Sequence, residues 1–306
     1  MGEYILKTEN LTKVYGTTRA LSRINIEVKQ GEIYGLIGQN GAGKTTLLKM
    51  ISGLGFPTEG AVYLFGENAS TNGSLLERIG VLIEVPGLYP DLRPYDNLKL
   101  KYIAYGMNTK EYTQSILEQV GLAGVEKKKV KKLSLGMKQR LGIALALIGE
   151  PDLLLLDEPI NGLDPQGIIE IRDMLLKLNK EKGVTIIISS HILEELSKIA
   201  TRFGIIHEGE LVEEINKEEL LEKTKDRLEI TTNDIERAVA VLEDNLNIHN
   251  LQVIDNNTIY VYERLEESGD INNELLKCGI KVNSLSVNRE SLEEYFISLT
   301  GGRKRV

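Results

Sequence analysis

Cysteine and long apolar segments are nearly absent from this 306-residue sequence. A single cysteine, Cys278, excludes an internal disulfide and a cysteine metal cluster, which agrees with a reducing compartment and gives Cys278 a packing role. No apolar run approaches the ~20 residues needed to cross a bilayer, and the longest, around 141–148, is typical of a buried or amphipathic helix. The first residues lack a signal peptide's basic start and apolar segment. We therefore expect a cytoplasmic protein whose membrane-spanning subunits, if it works at a membrane, are separate chains.

Positive charge is also in short supply, since 37 Lys and Arg face 45 Asp and Glu for a net charge of −8. Nucleic-acid binding requires clustered positive charge, so we expect no nucleic-acid partner. One basic cluster, Lys127–Lys132, is interpreted as a solvated connector, with an anionic nucleotide or acidic lipid surface as the alternative. The length and the 42% hydrophobic content predict about two globular domains.

A glycine-rich segment carries the strongest chemical signal. Residues Gly38 to Thr45 match Gly-x-x-x-x-Gly-Lys-[Ser/Thr] between the apolar run Ile33–Ile37 and the helical pattern Leu47–Ile51. This strand-to-helix junction is the context that a phosphate-binding loop requires. Glycines at 41 and 43 permit a tight turn whose amides, with the positive end of the helix, point at phosphate oxygens. The segment predicts a nucleotide site.

Three side chains of the loop are expected to bind different parts of the nucleotide and its metal ion. Lys44 supplies a point charge to the β- and γ-phosphates, Thr45 offers a hydroxyl to Mg²⁺, and Thr46 adds a hydrogen bond to a phosphate oxygen. The predicted nucleotide contacts of the loop are Gly38, Asn40, Gly41, Gly43, Lys44, Thr45 and Thr46. ATP and Mg²⁺ are the expected cofactors.

Two further apolar runs end in groups that suit hydrolysis. The first, Leu153–Leu156, reads as a central parallel strand that ends in Asp157 and Glu158. Asp157 suits the Mg²⁺ shell, and Glu158 is placed to deprotonate a water for attack on the γ-phosphate. The second, Val184–Ser190, ends at His191, which alone reads as a locally satisfied histidine. After a carboxylate strand, its imidazole is expected to contact the γ-phosphate or the attacking water.

Six motifs in this order resemble the ATP-binding subunit of ABC transporters over about the first 215 residues. They are Tyr15 in Leu11–Gly16, the phosphate loop, Leu133–Met137, the carboxylate strand, Asn161–Pro165 and His191.

The resemblance implies a catalytic unit made of two chains. Tyr15 would stack on adenine, while Ser134 and Gly136 would contact the γ-phosphate of a nucleotide held by the opposite subunit. Asp164 would lie at the seam. Ser134 precedes a probable helix over 135–148, so its hydroxyl and the helix amides form a second anion-binding surface. The expected assembly is an ATP-dependent head-to-tail homodimer, or a pair with a related ATPase subunit.

Two positions depart from the usual family pattern. The signature Leu-Ser-Gly-Gly-Gln has Leu135 and Met137 at its third and fifth places, and we expect closure of the dimer to persist. Glu84 stands where a glutamine that contacts Mg²⁺ is usual; a carboxylate keeps the oxygen ligand and adds a negative charge. With Pro86–Pro90 and Leu133–Met137, it makes the chain similar to the subgroup that confers bacitracin resistance or lantibiotic self-immunity in Gram-positive bacteria. The hypothesis is that Glu84 couples transport to hydrolysis, and the alternative is a solvated loop residue.

The fold class expected is α/β, with a P-loop ABC ATPase core in residues 1–215 and a helical subdomain at about 85–150. Within it, Pro86–Asn97 is the candidate groove for a membrane subunit, or else makes contacts inside the subdomain. Residues 216–306 alternate as βαββαβ and predict a small α+β, ferredoxin-like domain. It contains no catalytic constellation, so regulation or dimer stabilisation is expected.

The leading interpretation is an ATP-hydrolysing subunit that exports a peptide antibiotic and lies peripherally on the cytoplasmic face of the membrane. Alternatives are an exporter of an unrelated substrate and a soluble ABC-type ATPase acting on ribosomes or DNA. The latter usually have two ATPase halves or long coiled coils, which this sequence lacks. A small-molecule kinase is disfavoured because it would leave residues 134–140 unexplained.

Overall fold

The computed structural model describes residues 4–106, 110–125, 127–289 and 291–301. The chain divides into two compact units, Met1–Lys217 and Glu218–Val306. The division follows strand Glu210–Asn216, which completes a sheet of the first unit, and so falls slightly beyond the boundary expected after residue 215. No helix in the described ranges is long and apolar enough to span a membrane.

The strands of the first unit are, in chain order, β1 (Tyr4–Tyr15), β2 (Thr18–Ile24), β3 (Glu27–Lys29), β4 (Ile33–Ile37), β5 (Glu59–Leu64), β6 (Glu67–Asn68), β7 (Ile79–Leu82), β8 (Leu153–Asp157), β9 (Thr185–Ser190), β10 (Arg202–His207) and β11 (Glu210–Asn216). The helices are α1 (Lys44–Ile51), α2 (Pro94–Ala104), α3 (Lys110–Gln119), α4 (Leu135–Ala146), α5 (Pro165–Lys182), α6 (Leu193–Ser197) and α7 (Lys217–Lys223), the last of which crosses the division between the units.

A six-stranded sheet forms the core, in the order β11-β10-β4-β9-β8-β7. All its strands are parallel except β11, which is antiparallel to β10. Every residue of β4, β8 and β9 is buried, which explains why apolar residues run through these strands without alternating with exposed polar ones. Because parallel strands end at one edge, the segments after these three strands meet there.

The second sheet is antiparallel, in the order β2-β1-β5-β6, with β3 also paired to β1. β2 ends at Ile24 and β3 begins at Glu27, so a short break separates these two strands. The buried hydroxyl of Thr8 donates to the Ile24 carbonyl (3.0 Å) and accepts from the Ile26 amide (3.0 Å). It satisfies the backbone groups at the break.

The helical subdomain contains α2, α3 and α4, which contact one another and bury Leu98, Tyr102, Leu117 and Leu141. Helix α4 ends at Ala146, two residues before the expected end. The 86–97 stretch is a loop only as far as Arg93, because Pro94 begins α2 and fits its first turn. Asn97 is buried and accepts from the Tyr89 amide at 2.8 Å, so the loop is tied to the helix.

The second unit contains β12 (Arg227–Thr232), α8 (Ile235–Ala240), β13 (Leu251–Val253), β14 (Thr258–Val261), α9 (Ser268–Lys277), β15 (Val282–Asn288) and α10 (Leu292–Gly301). A π-helical turn, Val241–Asn245, prolongs α8. The sheet order is β13-β14-β12-β15, with every pair antiparallel. Its core is made of Leu228, Ile230, Ala238, Leu242, Ile248, Ile259, Val261, Ile271, Leu275 and Ile280. This is the predicted βαββαβ, ferredoxin-like arrangement.

Candidate active site

The phosphate loop joins β4 to α1, and its shape depends on glycine at three positions. Gly41 and Gly43 have φ of 83° and 115°, in the left-handed region that side chains disfavour. A Cβ at Gly43 would lie 2.8 Å from the Ala20 carbonyl oxygen, and one at Gly38 would lie 2.5 Å from the Ile206 carbonyl oxygen. The loop is therefore held by backbone conformation and by close packing on its neighbours.

Lys44 begins α1 and points back into the loop. Its side chain is 5% exposed, and Nζ donates to the carbonyls of Gly38 (2.7 Å) and Gln39 (3.2 Å). Nζ also lies 3.1 Å from Glu158 Oε1, a buried oxygen that accepts no hydrogen bond among the described residues. The contact is therefore an ion pair without a hydrogen bond. The loop thus holds a buried positive charge beside the carboxylate strand.

Asp157, the last residue of β8, is buried at 4% exposure and engaged at both oxygens. Thr45 Oγ1 donates to Oδ2 at 2.7 Å, and Ser189 Oγ donates to Oδ1 at 2.6 Å. A buried carboxylate needs such donors to offset its desolvation. The phosphate loop and two neighbouring strands therefore meet at this carboxylate.

Ser189 was not among the predicted site residues. It is fully buried on β9, directly opposite Asp157 in the parallel register of β8 and β9. Its hydroxyl also accepts the Glu158 amide at 2.9 Å. The only sequence signal for it was the polar Ser189-Ser190 pair that ends an otherwise apolar strand, and that signal cannot assign a partner.

Glu158 follows β8 with φ of 48°, and its carboxylate lies between the side chains of Lys44 and His191. Oε1 faces the Lys44 ammonium, and Oε2 lies 2.8 Å from His191 Nδ1. An ionised carboxylate only accepts, so Nδ1 carries the hydrogen of that bond. A neutral imidazole would then present Nε2 as an acceptor, which suits a water proton better than a phosphate oxygen.

The donor set at Thr45 and Asp157 fits Mg²⁺. Both supply oxygen atoms, and Thr45 Oγ1 lies 2.7 Å from Asp157 Oδ2. Mg²⁺ commonly binds one or two protein carboxylates together with phosphate and water oxygens. Within the described ranges, no three Asp, Glu, His or Cys side chains converge as a metal cluster. The residues present therefore suit a cation that is shared with a nucleotide rather than one enclosed by protein.

Glu84, predicted as a further Mg²⁺ ligand, is engaged elsewhere in this structure. Its carboxylate accepts from Lys49 Nζ at 2.5 Å, and it is 61% exposed with φ of 62°. The hydrogen bond to Glu84 raises the pKa of Lys49 above its usual value, and the negative charges of Glu84 and Asp157 act in the same direction. Lys49 therefore lies within electrostatic range of the Asp157 carboxylate.

The other predicted nucleotide contacts of this half are accessible. Tyr15, at the end of β1, is 51% exposed, and Lys13 Nζ lies 4.9 Å from the centre of its ring. Asn40 is exposed, and Thr46 is partly buried on α1.

The signature residues lie on a different surface feature, the start of α4. Ser134 is exposed and caps the helix by accepting from the Met137 amide at 3.2 Å. Asp164 caps α5 in the same manner, accepting from the Gly167 amide at 3.3 Å. A Cβ added at Gly136 would lie 3.7 Å from Leu163 Cδ2, so the two segments adjoin. Among the described residues, no hydrogen bond or ion pair joins these two segments to Lys44 or Asp157.

Comparison with known proteins identifies the family to which this chain belongs. A family model described as ABC transporter matches residues 21–161. The bacitracin transport ATP-binding protein BcrA of Bacillus licheniformis is 46% identical over 299 residues, which is 97% of this chain and 98% of that protein. The chain belongs to the ABC transporter ATP-binding proteins. It is an ATP-binding, ATP-hydrolysing subunit of a transporter.

Two other comparisons cover about two thirds of the chain. The lantibiotic transport ATP-binding protein SrtF of Streptococcus pyogenes is 45% identical over 208 residues, or 68% of this ABC ATPase and 89% of SrtF. Among solved structures, a post-hydrolysis dimer of the ATP-binding cassette MJ0796 bound to ADP and Pi is similar with a TM-score of 0.64. It is 28% identical and covers 69% of this chain and 98% of its own. The similarity to BcrA, by contrast, necessarily includes the second unit.

Proposed function

We propose that this ABC ATPase powers the removal of a membrane-active peptide antibiotic of the bacitracin or lantibiotic class. The observation that carries the proposal is the 46% identity to a bacitracin transport protein over 97% of the chain, both units included. Glu84, with the Leu135 and Met137 signature, supports the same subgroup. The subunit would act on the cytoplasmic face of the membrane with separate polytopic subunits, because substrate contacts in this architecture lie in the membrane.

Hydrolysis follows from the groups around Asp157 and Glu158. The phosphate loop and Lys44 would bind the triphosphate, and Thr45 and Asp157 would hold Mg²⁺, which neutralises phosphate charge when bound. Glu158, positioned by Lys44 and His191, would accept a proton from the attacking water. The water oxygen then bonds to the γ-phosphorus while the bond to the β-phosphate oxygen breaks, giving ADP and phosphate.

The second half of each site would come from another subunit. Ser134 and the amides at the start of α4 form an exposed anion-binding surface, and a partner's γ-phosphate is the ligand that it suits. Asp164 would lie at the seam. An ATP-dependent head-to-tail dimer supplies both halves.

The surface proposed for a membrane subunit lies at the entry to the helical subdomain. Within the predicted groove, residues 86–97, Tyr89 is 59% exposed, and Val85 just before the groove is 82% exposed. Exposed apolar and aromatic side chains are the anchors that a docking helix requires. Glu84 immediately precedes this surface, so we propose that it couples transport to hydrolysis. Intact peptide protection and intact transport-stimulated hydrolysis in Glu84→Ala would contradict the coupling.

Resistance assays test the whole proposal. The gene, expressed with the membrane subunits encoded beside it in a sensitive host, should raise the inhibitory concentration of a bacitracin or a lantibiotic in a panel. Lys44→Ala, with normal protein levels, should abolish that increase because the triphosphate loses its cation. Copurification with a polytopic membrane protein is expected; retention on ribosomes at moderate salt, without protection against any peptide, would favour a soluble ATPase.

A further inference from the structure

Ser189 is the one side chain among the described site residues that touches both residues of the carboxylate pair. Its hydroxyl donates to Asp157 Oδ1 at 2.6 Å and accepts from the Glu158 backbone amide at 2.9 Å. A hydroxyl has one hydrogen, and an ionised carboxylate only accepts, so the directions of both bonds are determined. Ser189 therefore links the predicted Mg²⁺ ligand to the predicted base.

The two bonds constrain different things. At Asp157, the Ser189 hydroxyl donates to Oδ1 while the Thr45 hydroxyl donates to Oδ2, so the two bonds together restrict rotation of the carboxylate. At Glu158, the contact holds the backbone where φ is 48°, a conformation that costs free energy outside glycine and persists only when its surroundings impose it. The side chain of Glu158 then leaves the backbone in the direction of Lys44 and His191.

Ser189 differs from Thr45 in that it is not itself a candidate Mg²⁺ ligand. Thr45 is itself a candidate Mg²⁺ ligand, whereas Ser189 is fully buried behind the carboxylate. A charge-assisted bond from a buried hydroxyl is shorter and stronger than a neutral one, and groups behind a metal ligand commonly orient it. The neighbouring Ser190 is equally buried, but among the described residues its hydroxyl hydrogen-bonds to Ile192 alone, accepting from the amide at 2.9 Å and donating to the carbonyl at 3.5 Å.

We propose that Ser189 is a positioning residue for hydrolysis, one that sets the orientation of the Asp157 carboxylate and the backbone of Glu158 together. The inference depends on the roles proposed for those two residues. It predicts a defect in the use of Mg²⁺ and in turnover, and little change in the affinity for nucleotide without metal, which depends on the phosphate loop.

The test compares Ser189→Ala with Ser190→Ala in the full chain. Steady-state hydrolysis gives kcat, KM and the half-saturating Mg²⁺ concentration, and a fluorescent ATP analogue in EDTA gives metal-free affinity. Ser189→Ala should lower kcat about 10- to 100-fold and raise the half-saturating Mg²⁺ concentration, with metal-free affinity changed less than about 3-fold. Ser190→Ala should stay within about 3-fold of wild type in all of these.

Thermal denaturation of each variant separates this role from a loss of folding. Ser189→Thr retains the hydroxyl and should recover most of kcat; if Ser189→Ala does not melt cooperatively, the nearly isosteric Ser189→Cys, a weak donor, takes its place. Unchanged kcat and Mg²⁺ dependence in a folded Ser189→Ala or Ser189→Cys variant would overturn the proposal, and so would an equal loss in Ser190→Ala. A wild-type protein that does not hydrolyse ATP would instead count against the proposed site.

Discussion

The phosphate loop and the signature segment differ in how their polar groups are satisfied. Around Asp157, the ammonium of Lys44 and the hydroxyls of Thr45 and Ser189 are all engaged with groups of the same chain. At the start of α4, Ser134 is exposed and makes only a helix cap. The first region is a preorganised site that the chain completes from its own strands, whereas the second is a surface suited to a ligand from outside. This contrast is what a shared, two-subunit site requires.

The strongest test of the comparison is Glu158→Gln, which keeps the shape of the first region and removes its base. We expect kcat to fall about 10²- to 10⁴-fold, because an amide cannot accept the water proton. Mg·ATP should still bind and hold the second region of one chain against the first region of another. Light scattering after size exclusion should show a dimer with Mg·ATP and a monomer without it. A monomer carrying bound ATP would contradict the two-subunit site.

Two glycine substitutions separate packing from contact with a partner. Gly136→Ala adds a methyl group 3.7 Å from Leu163 Cδ2, which is ordinary contact. In a helix the change should stabilise the fold by about 0.5–1 kcal/mol, because alanine loses less conformational entropy. Hydrolysis should nevertheless fall about 10-fold, since the methyl group obstructs approach to the partner's phosphate. Full hydrolysis in this variant would mean that the signature does not approach a nucleotide closely.

Gly38→Ala is the matched change in the first region. Its methyl group would lie 2.5 Å from the Ile206 carbonyl oxygen, so the loop must shift. We expect a destabilisation of about 1–3 kcal/mol from overpacking, together with weakened nucleotide binding. Thermal denaturation and a fluorescent nucleotide titration measure the two effects. If Gly38→Ala and Gly136→Ala change stability in the same direction, the contrast between the regions is wrong.

The smallest effect is expected at Glu84, which lies in sequence between the two regions. Lys49→Met leaves the Glu84 carboxylate uncompensated near the triphosphate and should weaken Mg·ATP binding about 3-fold. Adding Glu84→Gln should restore it, with a coupling of no more than about 1 kcal/mol because the pair is largely exposed. Lys131→Met, which breaks the exposed pair with Asp91, is the control. Additive effects at Lys49 and Glu84 would show that the pair does not act as a unit.

Much of the fold was predictable because the apolar runs are long enough to be strands and too uniform to be exposed. The apolar run Ile33–Ile37 has the same first and last residues as β4. The run Leu153–Leu156 forms β8 together with Asp157. The order βαββαβ in the second unit followed from alternating strand and helix patterns. The break between β2 and β3, by contrast, is bridged by the hydroxyl of Thr8, which lies 16 residues before Ile24 and 18 before Ile26. Local patterns do not reveal such a partner.

The candidate site also contains both residues that the sequence identified and a residue that it missed. Residues of one contiguous motif, such as Gly38 to Thr45 or Asp157 with Glu158, were identified because they are adjacent in the sequence. Ser189 was missed, since its partner is set by strand register. Glu84 was noticed only because it replaces a glutamine usual in the family, and its ion pair with Lys49 could not be predicted from spacing.

By itself, the sequence determined the phosphate loop, the two consecutive carboxylates, the candidate helix cap at Ser134 and the order of the strands and helices. Each depends on residues adjacent in the chain or on a repeating pattern within one element. Only the tertiary structure decided that Ser189 meets Asp157, that His191 meets Glu158 and that Lys49 meets Glu84. Those partners lie more than 30 residues apart. Sheet order and register, set by burial of the whole core, determine which side chains meet at the site.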